Sequence, residues 1–122
     1  MSPSGRPVLV VDDDADIREA LVDVLTDHGY ASHAVSHGAA ALSALQRGLR
    51  PCVILLDLMM PVMDGITFRQ HQLADPDLKE LPVVVISAGN DLSVHTHALG
   101  NVETLRKPID LDRLLEAVAR HA

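Results

Sequence analysis

The stretch Val53-Ile54-Leu55-Leu56-Asp57-Leu58-Met59-Met60-Pro61-Val62-Met63-Asp64-Gly65 decides the fold of this chain. Its first four residues are apolar, β-branched at Val53 and Ile54, and too few to make a helix, so they predict a strand. The apolarity is continuous rather than alternating, which suits a strand covered on both faces in a parallel sheet. Asp57 ends the run. Asp64 then stands as the N-cap of a helix that stops before Asp75-Pro76.

The same pattern recurs on either side. Val8-Leu9-Val10-Val11 and Val83-Val84-Val85-Ile86 predict two more buried strands, and weaker ones fit at about Ala31 to Val35 and Val102 to Arg106. Ile17, Ala20, Leu21, Val24, Leu25 and His28 share one helical face, with Gly29 as a stop. Gly38, Ala41, Leu42, Leu45 and Leu49 repeat that spacing, capped by Ser36 or a neighbour and ending near Gly48. A last helix begins after Asp110 and is expected to bury Leu111, Leu114, Leu115 and Val118. Leu92 to Leu99 is a poor helix, because Ser93, Val94, Thr96 and two histidines are indifferent helix formers. The order reads (βα)₅, an α/β domain with helices on both faces of a parallel sheet. No G-x-G-x-x-G follows the first strand, which disfavours dinucleotide binding.

A length of 122 residues fits one domain, 1–122 with a core from about 6 to 121 and no output domain after it. Tyr30 and Phe68 are the only aromatics, so the core is aliphatic and stacking platforms for bases are missing. The net charge of −7 leaves no basic stripe for phosphates, which excludes direct nucleic-acid binding as an expectation. Cys52 sits beside an apolar run and reads as a buried, inert thiol. No stretch is apolar for long enough to be a signal peptide or to cross a membrane, so a soluble cytoplasmic protein is expected.

The strand ends carry the chemistry. The first strand runs into Asp12-Asp13-Asp14, the third into Asp57, the fourth into Ser87 and the fifth into Lys107-Pro108. In an open α/β sheet these ends share one edge, where ligands bind. Several carboxylates, a hydroxyl and an ammonium therefore converge. Clustered carboxylates call for a cation, and a small set of oxygen ligands suits Mg²⁺, which keeps several waters and accepts a phosphate oxygen. A carboxylate can attack phosphorus to give an acyl phosphate, and that transfer depends on positioning and on neutralising the phosphoryl oxygens. Mg²⁺, Lys107 and Ser87 can each take one oxygen.

Val10-Val11-Asp12-Asp13, Leu55 to Gly65 with its D-x-x-M-P-x-M-D-G pattern, Ser87-Ala88 and Lys107-Pro108 together resemble the receiver domain of two-component response regulators. The resemblance spans about Arg6 to His121 and implies a flavodoxin-like (βα)₅ three-layer sandwich with strand order 2-1-3-4-5. It implies that Asp57 accepts a phosphoryl group from a histidine kinase or histidine phosphotransfer protein. Mg²⁺, with Mn²⁺ as a possible substitute, would be held by Asp13 directly, by Asp12 largely through water, by Asp57 and by the Met59 carbonyl. Lys107 would pair with the phosphoryl group, Ser87 would bond one of its oxygens, and the Lys107–Pro108 bond would be cis. The outcome would be a surface change read by a downstream protein, in a molecule that catalyses only its own phosphorylation and dephosphorylation.

Other assignments have weaker footing. Asp14 or Asp16 reads as the N-cap of the first helix, Asp64-Gly65 as a turn and cap. His95 and His97 point to different helix faces, which argues against zinc. The family's usual aromatic three residues before Lys107 is Thr104 here, which disfavours ring-based switching and shifts the expected output to the segment after Ser87. Met59 cannot orient water and Gly89 offers no side chain, which predicts slow loss of the phosphoryl group. A receiver-like interaction module acting without phosphorylation is the alternative. A phosphatase of the haloacid dehalogenase type is disfavoured, since its second Asp would fall at Met59.

Overall fold

The computed structural model describes residues 6–58, 63–87 and 102–121. Met59, Gly89 and the expected helix at Leu92 to Leu99, with His95 and His97, lie outside the described residues. Within them the elements run β1 (Val8–Val11), α1 (Ala15–Asp27), β2 (Ser32–Val35), α2 (Gly38–Gln46), β3 (Val53–Asp57), α3 (Gly65–Ala74), β4 (Val83–Ser87), β5 (Glu103–Arg106) and α4 (Leu111–His121). The five strands form one parallel sheet in the order β2-β1-β3-β4-β5. This is the flavodoxin-like order that the sequence motifs imply.

The unbroken apolar strands are explained by burial on two sides. Leu9, Val11, Ile54, Leu56, Val83 and Val85 pack with Ala41, Leu42, Leu45 and Phe68 of α2 and α3. Their neighbours Val8, Val10, Val53, Leu55, Val84 and Ile86 face the other way, against Leu21 and Leu25 of α1 and Leu114, Ala117 and Val118 of α4. Successive side chains alternate between sheet faces, so each strand feeds both cores and three layers result. Each fully buried aliphatic side chain contributes roughly 1.5–3 kcal/mol. The outer strands are half covered: β2 is exposed at His33 and Ala34 and β5 at Thr104 and Arg106, which is why their sequences read weakly.

One burial expectation is corrected. In α4 it is Leu114, Ala117 and Val118 that face the sheet, while Leu111 is 44% exposed and Leu115 only half-buried. The i, i+3, i+4 stripe starts one turn into the helix. Leu111 instead stands at the rim of an open apolar groove with Ile17 and Ala20.

The helix ends are set locally. Asp14, not Asp16, caps α1 by accepting from the amides of Asp16 and Ile17. Gly29 (φ 83°) ends it in a left-handed turn, with the Tyr30 amide donating to the Leu25 carbonyl. The neighbour of Ser36 that caps α2 is His37, whose Nδ1 accepts from the Ala40 amide at 3.1 Å. Asp64 caps α3 as expected. Between α3 and β4 lies a buried polar clasp: Arg69 donates to Gln72 Oε1, and Gln72 Nε2 donates to the carbonyls of Leu78 and Leu81.

Candidate functional site

Asp12 follows β1, Asp57 ends β3, Ser87 ends β4 and Lys107 follows β5, so the parallel sheet delivers all four to its C-terminal edge. Register brings them level. Asp57 lies opposite Ile86, and Ser87 opposite Arg106, with the Lys107 amide donating to the Ser87 carbonyl at 2.9 Å. The Lys107–Pro108 bond is cis.

Asp12 and Asp57 are almost fully buried, 1% and 3% exposed, whereas Asp13 faces solvent. One carboxylate oxygen from each of the three lies within 4.8 Å of the others. Lys107 Nζ bridges the buried pair, 3.7 Å from Asp12 Oδ2 and 3.5 Å from Asp57 Oδ2. Among the described residues, one ammonium thus faces two buried carboxylates, with Asp13 beside them at the surface, so negative charge outnumbers positive. Asp12 Oδ2 and Ser87 Oγ are buried without a hydrogen-bond partner among the described residues. Buried polar atoms seldom stay unpaired unless a ligand or ion is meant to meet them. The oxygen-only donor set and the Asp12 oxygen that accepts no hydrogen bond among the described residues both fit a hard divalent cation such as Mg²⁺.

The supports around this cluster had no clear sequence signal. Asp12 Oδ1 is held by the Asp14 amide at 2.9 Å, which leaves Oδ2 facing Lys107. Arg18 reaches back from α1 and donates to the Asp12 carbonyl at 2.8 Å. Its position one turn into an amphipathic helix gave no hint of that. Gly65 matters for space. A Cβ there would lie 2.6 Å from the Asp57 carbonyl oxygen and 2.9 Å from Leu58 Cα, so α3 can start this close to the end of β3 only with glycine. Its place after Asp64 suggested a turn, not this contact. The Gly38 amide donates to the Met63 carbonyl at 3.1 Å and ties α2 to the segment before α3. Of the expected site residues, Asp12, Asp13, Asp57, Ser87 and Lys107 gather at one edge; Met59 lies outside the described residues. Thr104 is exposed on β5.

A model of the response regulator receiver domain matches residues 8–119. The chain belongs to this family. Among relatives of this receiver domain, the DNA-binding transcriptional regulator NtrC of Proteus hauseri is 35% identical over 115 residues, covering 93% of the chain and 24% of that protein. The DNA-binding response regulator MtrA of Mycobacterium tuberculosis is 42% identical over 91 residues, covering 75% of the chain and 38% of that protein. The receiver domain therefore spans well under half the length of these relatives. Among solved structures, a response regulator receiver protein from Pseudomonas putida superposes with a TM-score of 0.84 at 34% identity, covering 94% of this chain and 97% of that one. The signal receiver domain of a histidine kinase from Syntrophus aciditrophicus gives a TM-score of 0.87 at 29% identity, covering 94% and 88%. The receiver domain thus belongs to the two-component signalling proteins, a family of signalling modules rather than turnover enzymes. Among its described residues no helix is long and apolar enough to cross a membrane.

Proposed function

We propose that this receiver domain accepts a phosphoryl group on Asp57 from a phosphohistidine of a histidine kinase or phosphotransfer protein, and changes its surface for a downstream protein. The observation that carries this is the buried Asp12–Asp57 pair bridged by Lys107, with Ser87 Oγ, which has no hydrogen-bond partner among the described residues, at the end of the neighbouring strand. Asp57 Oδ attacks phosphorus as the P–N bond to the histidine breaks, and the leaving imidazole nitrogen takes up a proton. Lys107 moves from carboxylate to phosphoryl oxygen with little displacement, since its ammonium already lies 3.5 Å from Asp57. Ser87 donates its hydroxyl to a second phosphoryl oxygen. Asp12, Asp13, Asp57 and the Met59 carbonyl would hold Mg²⁺, or Mn²⁺ in its place, which supplies the charge neutralisation that phosphoryl transfer demands. The donor reaches this edge from the cytoplasm beside the apolar groove of Ile17, Ala20 and Leu111, and a net charge of −7 keeps the domain itself off nucleic acid.

The test is intact mass after incubation with a small phosphodonor and Mg²⁺. One added phosphate on wild type and none on Asp57→Asn supports the proposal. No phosphate on either would favour an interaction module that works without phosphorylation.

A further inference from the structure

Charge is unevenly distributed along this chain. All 17 Asp and Glu residues and eight of the ten Lys and Arg residues lie outside residues 28–56. That stretch therefore carries +2, from Arg47 and Arg50, and the remainder −9. It supplies β2 and α2, at one edge of the sheet.

Among the described residues no strand pairs with the outer edge of β2, and its backbone groups are orientated. The Val8 and Asp12 amides donate to the carbonyls of Ala31 and Val35, so alternation turns the N–H and C=O groups of Ser32 and Ala34 away from β1, toward the free side. Beneath that edge, between β2 and α2, runs a groove of about 590 Å³. Val35, Ala40, Ala44 and Leu49 supply its apolar surface, and His33 and Arg47 its polar rim. No carboxylate lines it among the described residues. The depression on the other face of the same strand, beside Ala34, is lined by Glu19 and Asp23 as well as Arg18. Two grooves thus flank one open edge, and they differ in charge.

We propose that the β2–α2 groove docks an extended segment of a partner protein in which an aliphatic side chain is flanked, two residues away on either side and so on the same face, by acidic ones. The segment adds to the free edge of β2 through Ser32 and Ala34, places an aliphatic side chain over Val35, Ala40 and Ala44, and sets its carboxylates against Arg47 and His33. Main-chain pairing supplies affinity, and the pocket beneath alternate side chains supplies selectivity. Charge excludes the opposite face for such a segment, because Glu19 and Asp23 repel it. The surface shares no residue with the Asp57 cluster, so it stands whether or not Asp57 is phosphorylated.

The probe is a capped peptide of sequence Ser-Glu-Thr-Leu-Thr-Glu-Ser, which presents Glu, Leu and Glu on one face, titrated into ¹⁵N-labelled protein, with a Ser-Lys-Thr-Leu-Thr-Lys-Ser analogue as control. Saturable amide shifts confined to β2 and α2 are expected with the acidic peptide and none there with the basic one. Affinity should fall at least about fivefold in Arg47→Glu and in Ser43→Asp, and fall with added salt, as an exposed charge contact requires. Absence of saturable shifts at 32–35 and 40–47 would overturn the proposal, as would equal binding of the basic peptide. Concentration-dependent self-association abolished by Arg47→Glu would give the face to a second copy, and capture by phosphatidylglycerol vesicles unaffected by excess peptide would give it to a lipid surface. Either result also overturns it.

Discussion

Replacing Asp12 by Asn should stabilise the metal-free receiver domain, although Asp12 is ion-paired. At an effective dielectric constant of about 20, the Asp12–Lys107 contact at 3.7 Å provides about 4.5 kcal/mol of attraction. Asp57, within 4.8 Å, returns at least about 3.5 kcal/mol of repulsion on the same scale. Asp13 adds a further, solvent-screened repulsion. Desolvation then decides the sign: a carboxylate only 1% exposed has lost nearly all its hydration, and that costs several kcal/mol. The amide retains the oxygen that accepts from the Asp14 amide, so the turn after β1 keeps its hydrogen bond. Its NH₂ replaces the oxygen that has no hydrogen-bond partner. The net expectation is a gain of about 1–3 kcal/mol, or a rise in Tm of roughly 4–10 °C for a domain of this size. Calorimetry in chelator and in Mg²⁺ tests it. Wild type should gain stability with Mg²⁺ and the variant much less. A variant that melts below wild type in chelator would show that the Lys107 pair outweighs repulsion and desolvation, and would refute the idea of a site short of positive charge.

The remaining expectations concern neighbouring supports. Lys107→Met removes the ammonium that bridges the buried pair and should cost about 2–3 kcal/mol in chelator by denaturant titration, with Mg²⁺ restoring part of it; no loss would mean the pair tolerates its own repulsion. Gly65→Ala drives a Cβ into the Asp57 carbonyl, at 2.6 Å before relaxation, and should cost about 1–3 kcal/mol and slow phosphorylation by a small donor. Unchanged rate and Tm would show that α3 can shift freely. Burial pushes the Cys52 thiol up from its usual range, so labelling by a thiol reagent at neutral pH should proceed only as fast as the domain opens. Immediate labelling of native protein would contradict that.

Much of this fold was legible because its central strands are buried on both faces. The runs 8–11, 53–56 and 83–86 have no polar residue to obscure them, and their burial is near complete. The edges were harder: two of the four residues in each of β2 and β5 are exposed, and propensity says little about half-covered strands. That Asp12, Asp13, Asp57, Ser87 and Lys107 converge could be read because topology collects strand ends at one edge, which turns distant sequence positions into neighbours. Their supports could not. His37 is not among the usual N-capping residues, yet its Nδ1 does the same work as a carboxylate oxygen. Arg69 and Gln72 look like surface residues of α3, but both are buried, Arg69 donating to Gln72 Oε1 and Gln72 Nε2 to the Leu78 and Leu81 carbonyls of the connection to β4. Leu111 shows the opposite error, an apolar residue read as core that lines a surface groove.

The central claim is that Asp57 is the phosphoryl acceptor, and its most direct test is chemical. Borohydride reduces an aspartyl phosphate to homoserine and leaves free carboxylates alone. After incubation with a phosphodonor and Mg²⁺, reduction and proteolysis, mass sequencing should find homoserine at position 57 and aspartate at positions 12 and 13. Homoserine at either of those positions, or aspartate at all three from a protein whose intact mass had gained a phosphate, would contradict the account.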